Sequence, residues 1–102
     1  MTKGEQMIPS NRIAAHPGKI LREEFLEPLG LTQKALADHV GIPVQRINEI
    51  VRGKRGVTPN TAWLLSQAFK TTPEFWLNLQ ATHDLSAERP KFQVRPLVAV
   101  DA

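Results

Sequence analysis

The chain has 102 residues, 41% of them hydrophobic, which suits a single domain with one modest core. It has no cysteine, which excludes a disulfide framework and a thiolate metal site, and no apolar run approaches the roughly 20 residues that span a bilayer. The formal net charge is +3, and all of it falls between Thr32 and Gly56, where Lys34, Arg46, Arg52, Lys54 and Arg55 outnumber Asp38 and Glu49.

Residues 1–15 are polar and aperiodic, with Pro9 in the middle, and read as a flexible arm; its start lacks the apolar core of a signal peptide, so a cytoplasmic location is expected. Pro17 opens the first helix at a position where a missing N–H costs nothing. Ile20, Leu21 and Phe25 form its apolar stripe, and Arg22, Glu23 and Glu24 point outward. Pro28 should collide with the carbonyl of Glu24 and stop this helix near Leu26. The adjacent Glu23 and Glu24 share no helix face, which argues for a solvated surface and against acid–base chemistry.

The stretch from Thr32 to Arg52 reads as two short helices around a turn. Thr32 caps the first helix and Gln33 is its first helical residue. Leu36, Ala37 and Val40 repeat at helical spacing before Gly41, and Ile47, Ile50 and Val51 repeat after it. Gly41 can take the positive φ of a sharp turn, and Pro43 suits the first position of the second helix. Leu36, Ala37, Val40, Gly41, Ile47 and Ile50 are therefore the expected scaffold of a helix-turn-helix, the arrangement that lays its second helix in the DNA major groove. The local excess of positive charge is the electrostatic footprint of a phosphate-binding face.

On that reading Val44, Gln45, Arg46 and, one turn later, Asn48 and Glu49 are the candidate base contacts. Gln45 matches adenine N6 and N7, Arg46 matches guanine O6 and N7 or a phosphate, and Val44 matches a thymine methyl. Gln33, Lys34, Pro43, Lys54 and Arg55 are the candidate backbone contacts. Gln33 stands at the positive end of a helix dipole. Gly53 is a helix C′ residue, and Lys54, Arg55 and Gly56 form a basic loop whose N–H groups and cations both suit phosphate oxygens.

Thr58 and Pro59 announce a further helix, with Ala62, Leu65, Ala68 and Phe69 on one side and Trp63 and Leu64 widening the apolar surface. Thr72 and Pro73 repeat the device, and Phe75, Trp76, Leu77 and Leu79 make the last helix apolar on most sides. One of its faces closes the domain; the other is either a subunit or partner interface, or more core. Residues 86–90 read as a polar linker, and the loose alternation through Phe92 and Val94 allows a short strand over Phe92–Arg95 that needs a partner. His16, His39 and His83 lack ligand spacing, and there is no nucleophile or Walker-type motif, so no enzyme activity, catalytic residue, metal, cofactor or small-molecule ligand is expected.

Three segments, HPGKILREEFLEPLGLTQKALA, VQRINEIVRGKRGVTP and TTPEFWLNLQATHDL, resemble the HigA group of antitoxins within the phage-repressor-like (Cro/C1, or XRE) helix-turn-helix proteins. The resemblance covers roughly residues 16–85, between the arm and a C-terminal tail over 86–102. It implies an all-α, compact five-helix domain that forms a homodimer, with Leu64, Trp76, Leu77, Phe92 and Val94 as candidate dimer interface. It also implies a HigB-type toxin, an mRNA-cleaving ribonuclease of RelE-like fold, as partner, and repression of the shared operon through a palindromic operator. A stand-alone repressor of the same family, without a toxin, is the alternative. The toxin contact falls to the arm, the first helix or the tail. The Val44-Gln45-Arg46 run is intact, whereas Lys70 stands where the family usually has glycine, Leu64 where a charge is common, and Lys19 where glutamate is frequent. A left-handed backbone at Lys70 would cost about 1 kcal/mol relative to glycine.

Overall fold

The computed structural model describes residues 8–99, and among these every regular element is helical. The first helix, α1, runs over residues 17–29 in three consecutive windings. Pro17–Ile20 is α-helical, Leu21–Leu26 is π-helical, and Glu27–Leu29 is α-helical again. The helix thus passes Pro28, which was expected to stop it, and ends at Gly30 with φ 60°. In the wider turn the bonding shifts by one residue, so that the Glu27 N–H reaches the Arg22 carbonyl. The tight turn in which the Pro28 ring would strike the Glu24 carbonyl is therefore not formed. The same winding aligns Leu21 and Leu26, five residues apart, and both are buried.

Helix α2 is Gln33–Val40 and helix α3 is Val44–Val51. Thr32 Oγ1 accepts the Ala35 N–H at 3.0 Å, which satisfies one of the orphan donors of the first turn. Gly41 adopts φ 78°, and its N–H closes on the Ala37 carbonyl at 2.9 Å. Pro43 takes the N-cap position of α3, with extended backbone, one residue earlier than expected. Leu36, Ala37, Ile47 and Ile50 are all buried, and Val40 packs on them.

Helix α4 is Pro59–Phe69 and helix α5 is Pro73–Ala87. Both open on threonine caps followed by proline, with Thr72 Oγ1 accepting the Phe75 N–H at 3.1 Å. Lys70, which ends α4, has φ 56° and ψ 41°, and is the sole non-glycine residue with positive φ among those described. Helix α5 runs two residues into the stretch expected as linker. Ser86 is buried there, donating to the His83 carbonyl and accepting the Ala14 N–H, each at 2.8 Å. That second bond ties the end of the expected arm to α5, and an Arg89 side-chain bond to the Pro9 carbonyl ties it to the segment just after α5.

Trp76 forms the centre of the core. It is 0% exposed, its ring lies 5.0 Å from Phe75 and 5.3 Å from Phe25, and its indole N–H donates to Thr71 Oγ1 at 2.8 Å. Trp76 is therefore a core residue, not a member of a dimer surface. Leu77 is half-buried against the core and Leu64 is half-exposed beside His39 and Val40. Phe92–Arg95 forms no strand, because no second strand among the described residues offers ladder partners. Phe92 and Val94 are instead 74% and 82% exposed.

Candidate nucleic-acid interface

Helix α3 divides cleanly. Ile47 and Ile50 point into the core, while Val44 (41% exposed) and Gln45 point to solvent, with Arg46 half-buried beside them. The first two residues of α3 after the extended Pro43 cap, Val44 and Gln45, are both exposed. Asn48 lies one turn further along. Its amide nitrogen donates to Gln33 Oε1 at 3.1 Å, a bond that joins the start of α2 to the middle of α3. With its oxygen engaged, Gln33 keeps its own amide N–H groups for an outside acceptor such as a phosphate oxygen.

Glu49, expected on base edges, instead directs Oε1 to Arg55 Nε at 2.8 Å. The carboxylate pairs with one of the two loop cations and braces that loop against α3. The loop N–H groups also differ from the expectation that they face a phosphate. Those of Lys54 and Arg55 donate to the Glu49 carbonyl at 2.8 and 3.2 Å, and that of Gly53 donates to the Ile50 carbonyl at 2.9 Å. The last carbonyls of α3 have no partners within their own helix, and these donors satisfy them. Gly53 at φ 73° turns the chain to make this possible. The side chains of Lys54 and Arg55 remain exposed and supply the charge. Lys34 is exposed too, and its Nζ lies 2.8 Å from Asp38 in an i,i+4 pair, an exposed type worth only a few tenths of a kcal/mol and easily exchanged for a phosphate.

The predicted contacts thus form one surface. Gln33 joins α3 through Asn48 and Arg55 joins it through Glu49, one turn beyond the exposed Val44 and Gln45. The residues that hold this surface were less visible in the sequence. Gln80 of α5 accepts the Val57 N–H at 2.8 Å and donates to Asp84 at 3.0 Å, and its amide crowds Gly56 so closely that a Cβ there would lie 3.2 Å away. Gly18 of α1 touches the backbone of α3; a Cβ on it would lie 1.8 Å from the Ile50 oxygen. His16 caps α1, with Nδ1 accepting the Gly18 N–H at 2.9 Å. Burial, reinforced by His83 and opposed by Asp84, holds its pKa below the ordinary histidine value. One signal was available: Gln80 and His83 follow Trp76 at i+4 and i+7, so they share its inward face, where a polar residue needs a partner.

The chain is similar to known proteins along most of its length. The Helix-turn-helix family model matches residues 21–76. Virulence-associated protein I of Dichelobacter nodosus is 45% identical over 86 residues, covering 83% of this chain and 80% of its own. Antitoxin HigA-1 of Vibrio cholerae is 42% identical over 97 residues, covering 89% and 90%. The solved structure of antitoxin GraA in complex with its operator superposes with a TM-score of 0.79 at 38% identity, covering 91% of this chain and 100% of that one.

Proposed function

Since the chain belongs to the helix-turn-helix family of XRE type, in the group that holds the HigA antitoxins, we propose that it is a sequence-specific DNA-binding antitoxin that represses its own operon. The observation that carries this reading is the tip of α3. Val44 and Gln45 are exposed with Arg46 half-buried beside them, and one turn on, Asn48 and Glu49 hold Gln33 and Arg55 against the same helix. This is a base-reading edge flanked by groups for the phosphate backbone. The likeness to an antitoxin solved on its operator supports the same docking.

Gln45 and Arg46 read base edges, Val44 packs on a thymine methyl, and Gln33, Lys34, Lys54 and Arg55 hold the backbone. Asn48 and Glu49 serve chiefly to keep α2 and the basic loop in register with α3. A homodimer would set two recognition helices about 34 Å apart on a near-palindrome. Leu64, Leu77, Phe92 and Val94 remain its candidate contacts. The antitoxin role adds a HigB-type ribonuclease as partner, a reading supported by the relative named HigA-1.

Fluorescence anisotropy with the promoter upstream of the gene, and with variants of it, tests the DNA reading. Arg46→Ala should weaken specific binding by about 1–3 kcal/mol and relax one base position, while Lys54→Ala should weaken all sequences alike. Unchanged operator affinity in Arg46→Ala would defeat the base-contact role. Co-purification with the product of the neighbouring reading frame, and loss of that product's ribonuclease activity, tests the antitoxin role against that of a stand-alone repressor.

A further inference from the structure

The start of α1, the exit of α3 and the second half of α5 meet around two imidazoles. An imidazole nitrogen accepts a hydrogen bond only while it carries no proton, so the 2.9 Å bond from the Gly18 N–H to His16 Nδ1 exists only with His16 neutral. The His16 ring lies against Gly53, the residue that turns the chain out of α3; a Cβ there would sit 3.8 Å from His16 Cγ. The His83 ring is edge-on to it, with centroids 4.9 Å apart. His83 Nδ1 is 2.7 Å from the Ala14 carbonyl, which can only accept, so that nitrogen keeps its proton. Gly18 is in close backbone contact with Ile50, so the start of α1 packs directly on the end of α3.

We propose that His16 is a positioning residue for operator binding: its neutral imidazole seats the start of α1 beside the Gly53 turn, and its protonation loosens that junction at the exit of α3. The proposal rests on the operator-binding reading above. A proton on Nδ1 would place a donor against the Gly18 N–H and a cation at the positive end of a helix. The groups around that cation are His83 and Asp84 from α5, the Gly53 backbone flanked by the exposed Arg52 and Lys54, and the exposed Lys19 of α1. Of the two charged neighbours on α5, His83 outweighs the single carboxylate of Asp84. Burial and His83 keep the ring neutral at ordinary pH, and acidification is the trigger.

The test is operator anisotropy of the full chain at fixed salt from pH 7.5 to 5.5, for wild type and His16→Asn, each normalised to its own affinity at pH 7.5. Asparagine caps a helix through its side-chain oxygen and does not titrate. Wild-type affinity should fall progressively toward pH 5.5, against the general tightening that added positive charge brings. His16→Asn should not fall. In parallel, the Gly18 and Gly53 amide resonances of the free protein should titrate and lose exchange protection in wild type but not in His16→Asn. Coincident profiles with identical amide behaviour overturn the proposal, as does loss of far-UV circular dichroism over the same range, which would make the effect global. A wild type that binds no operator at pH 7.5 refutes the DNA reading alone, and the amides still decide the role of His16.

Discussion

Replacing Lys70 with glycine should stabilise the protein. Lys70 ends α4 at φ 56° and ψ 41°, whereas the other positive-φ positions, Gly30, Gly41 and Gly53, are glycines. For an L-residue the left-handed conformation costs about 1–2 kcal/mol, because Cβ approaches the following carbonyl. Glycine avoids that cost but loses more backbone entropy on folding, about 0.5–1 kcal/mol. The lysine charge also favours the negative end of the α4 dipole by about 0.3 kcal/mol at an exposed site. The net expectation for Lys70→Gly is a gain of about 0.5 kcal/mol, read as a rise in Tm of roughly 2–4 °C for a domain of this size. Differential scanning calorimetry with Lys70→Ala as control separates the terms, since alanine keeps the strain and loses only the charge, for a small loss of stability. If Lys70→Gly melts at or below the Lys70→Ala temperature, the strain argument is refuted.

Three further outcomes follow from packing and titration. Gly18→Ala drives a methyl into the Ile50 carbonyl 1.8 Å away, with backbone on both sides, so urea unfolding should show a loss of about 3 kcal/mol or more; a loss below 1 kcal/mol would mean that α1 does not bear on α3. Gln80→Ala leaves the Val57 N–H without its acceptor, which should cost about 1–3 kcal/mol and speed exchange at the Val57 amide; unaltered exchange there would count against the clamp. The folded protein binds a proton at His16 less readily than the unfolded chain, so the His16 contribution is intact above about pH 6.5 and is lost as pH falls through the lowered folded value. Urea midpoints should decline over that acidic window in wild type and decline less in His16→Asn, and parallel curves would show that other groups govern the loss.

Most of the framework could be read from local chemistry. Thr32, Thr58 and Thr72 announce three helix starts because a hydroxyl cap acts within three residues of itself, and Gly41 and Gly53 mark turns for an equally local reason. The exposed edge of α3 follows from helical spacing, which sends Ile47 and Ile50 inward and Val44 and Gln45 outward. What the sequence concealed depends on distant partners. Trp76 looked as suited to a subunit interface as to a core until Phe25 and Phe75 were seen around it. Glu49 and the loop N–H groups were assigned to DNA, since their capture by Arg55 and by the last carbonyls of α3 depends on a loop path that spacing does not encode. Val57, Gln80 and Gly18 each act through a contact more than twenty residues away. Leu26 was overlooked because a period of 3.6 residues does not align it with Leu21, whereas a five-residue bonding register does.

That register has an evolutionary corollary. A π-turn behaves as one surplus residue in an α-helix, so deleting a single residue between Leu21 and Leu26 would bring the two leucines to i,i+4 and preserve the buried stripe. The tighter winding would then press the Pro28 ring onto the preceding turn and end the helix short of Gly30. The extra residue and the proline should therefore be gained or lost together along a lineage. A relative that aligns with a one-residue gap in this turn and no proline after it would differ in length yet keep the same core.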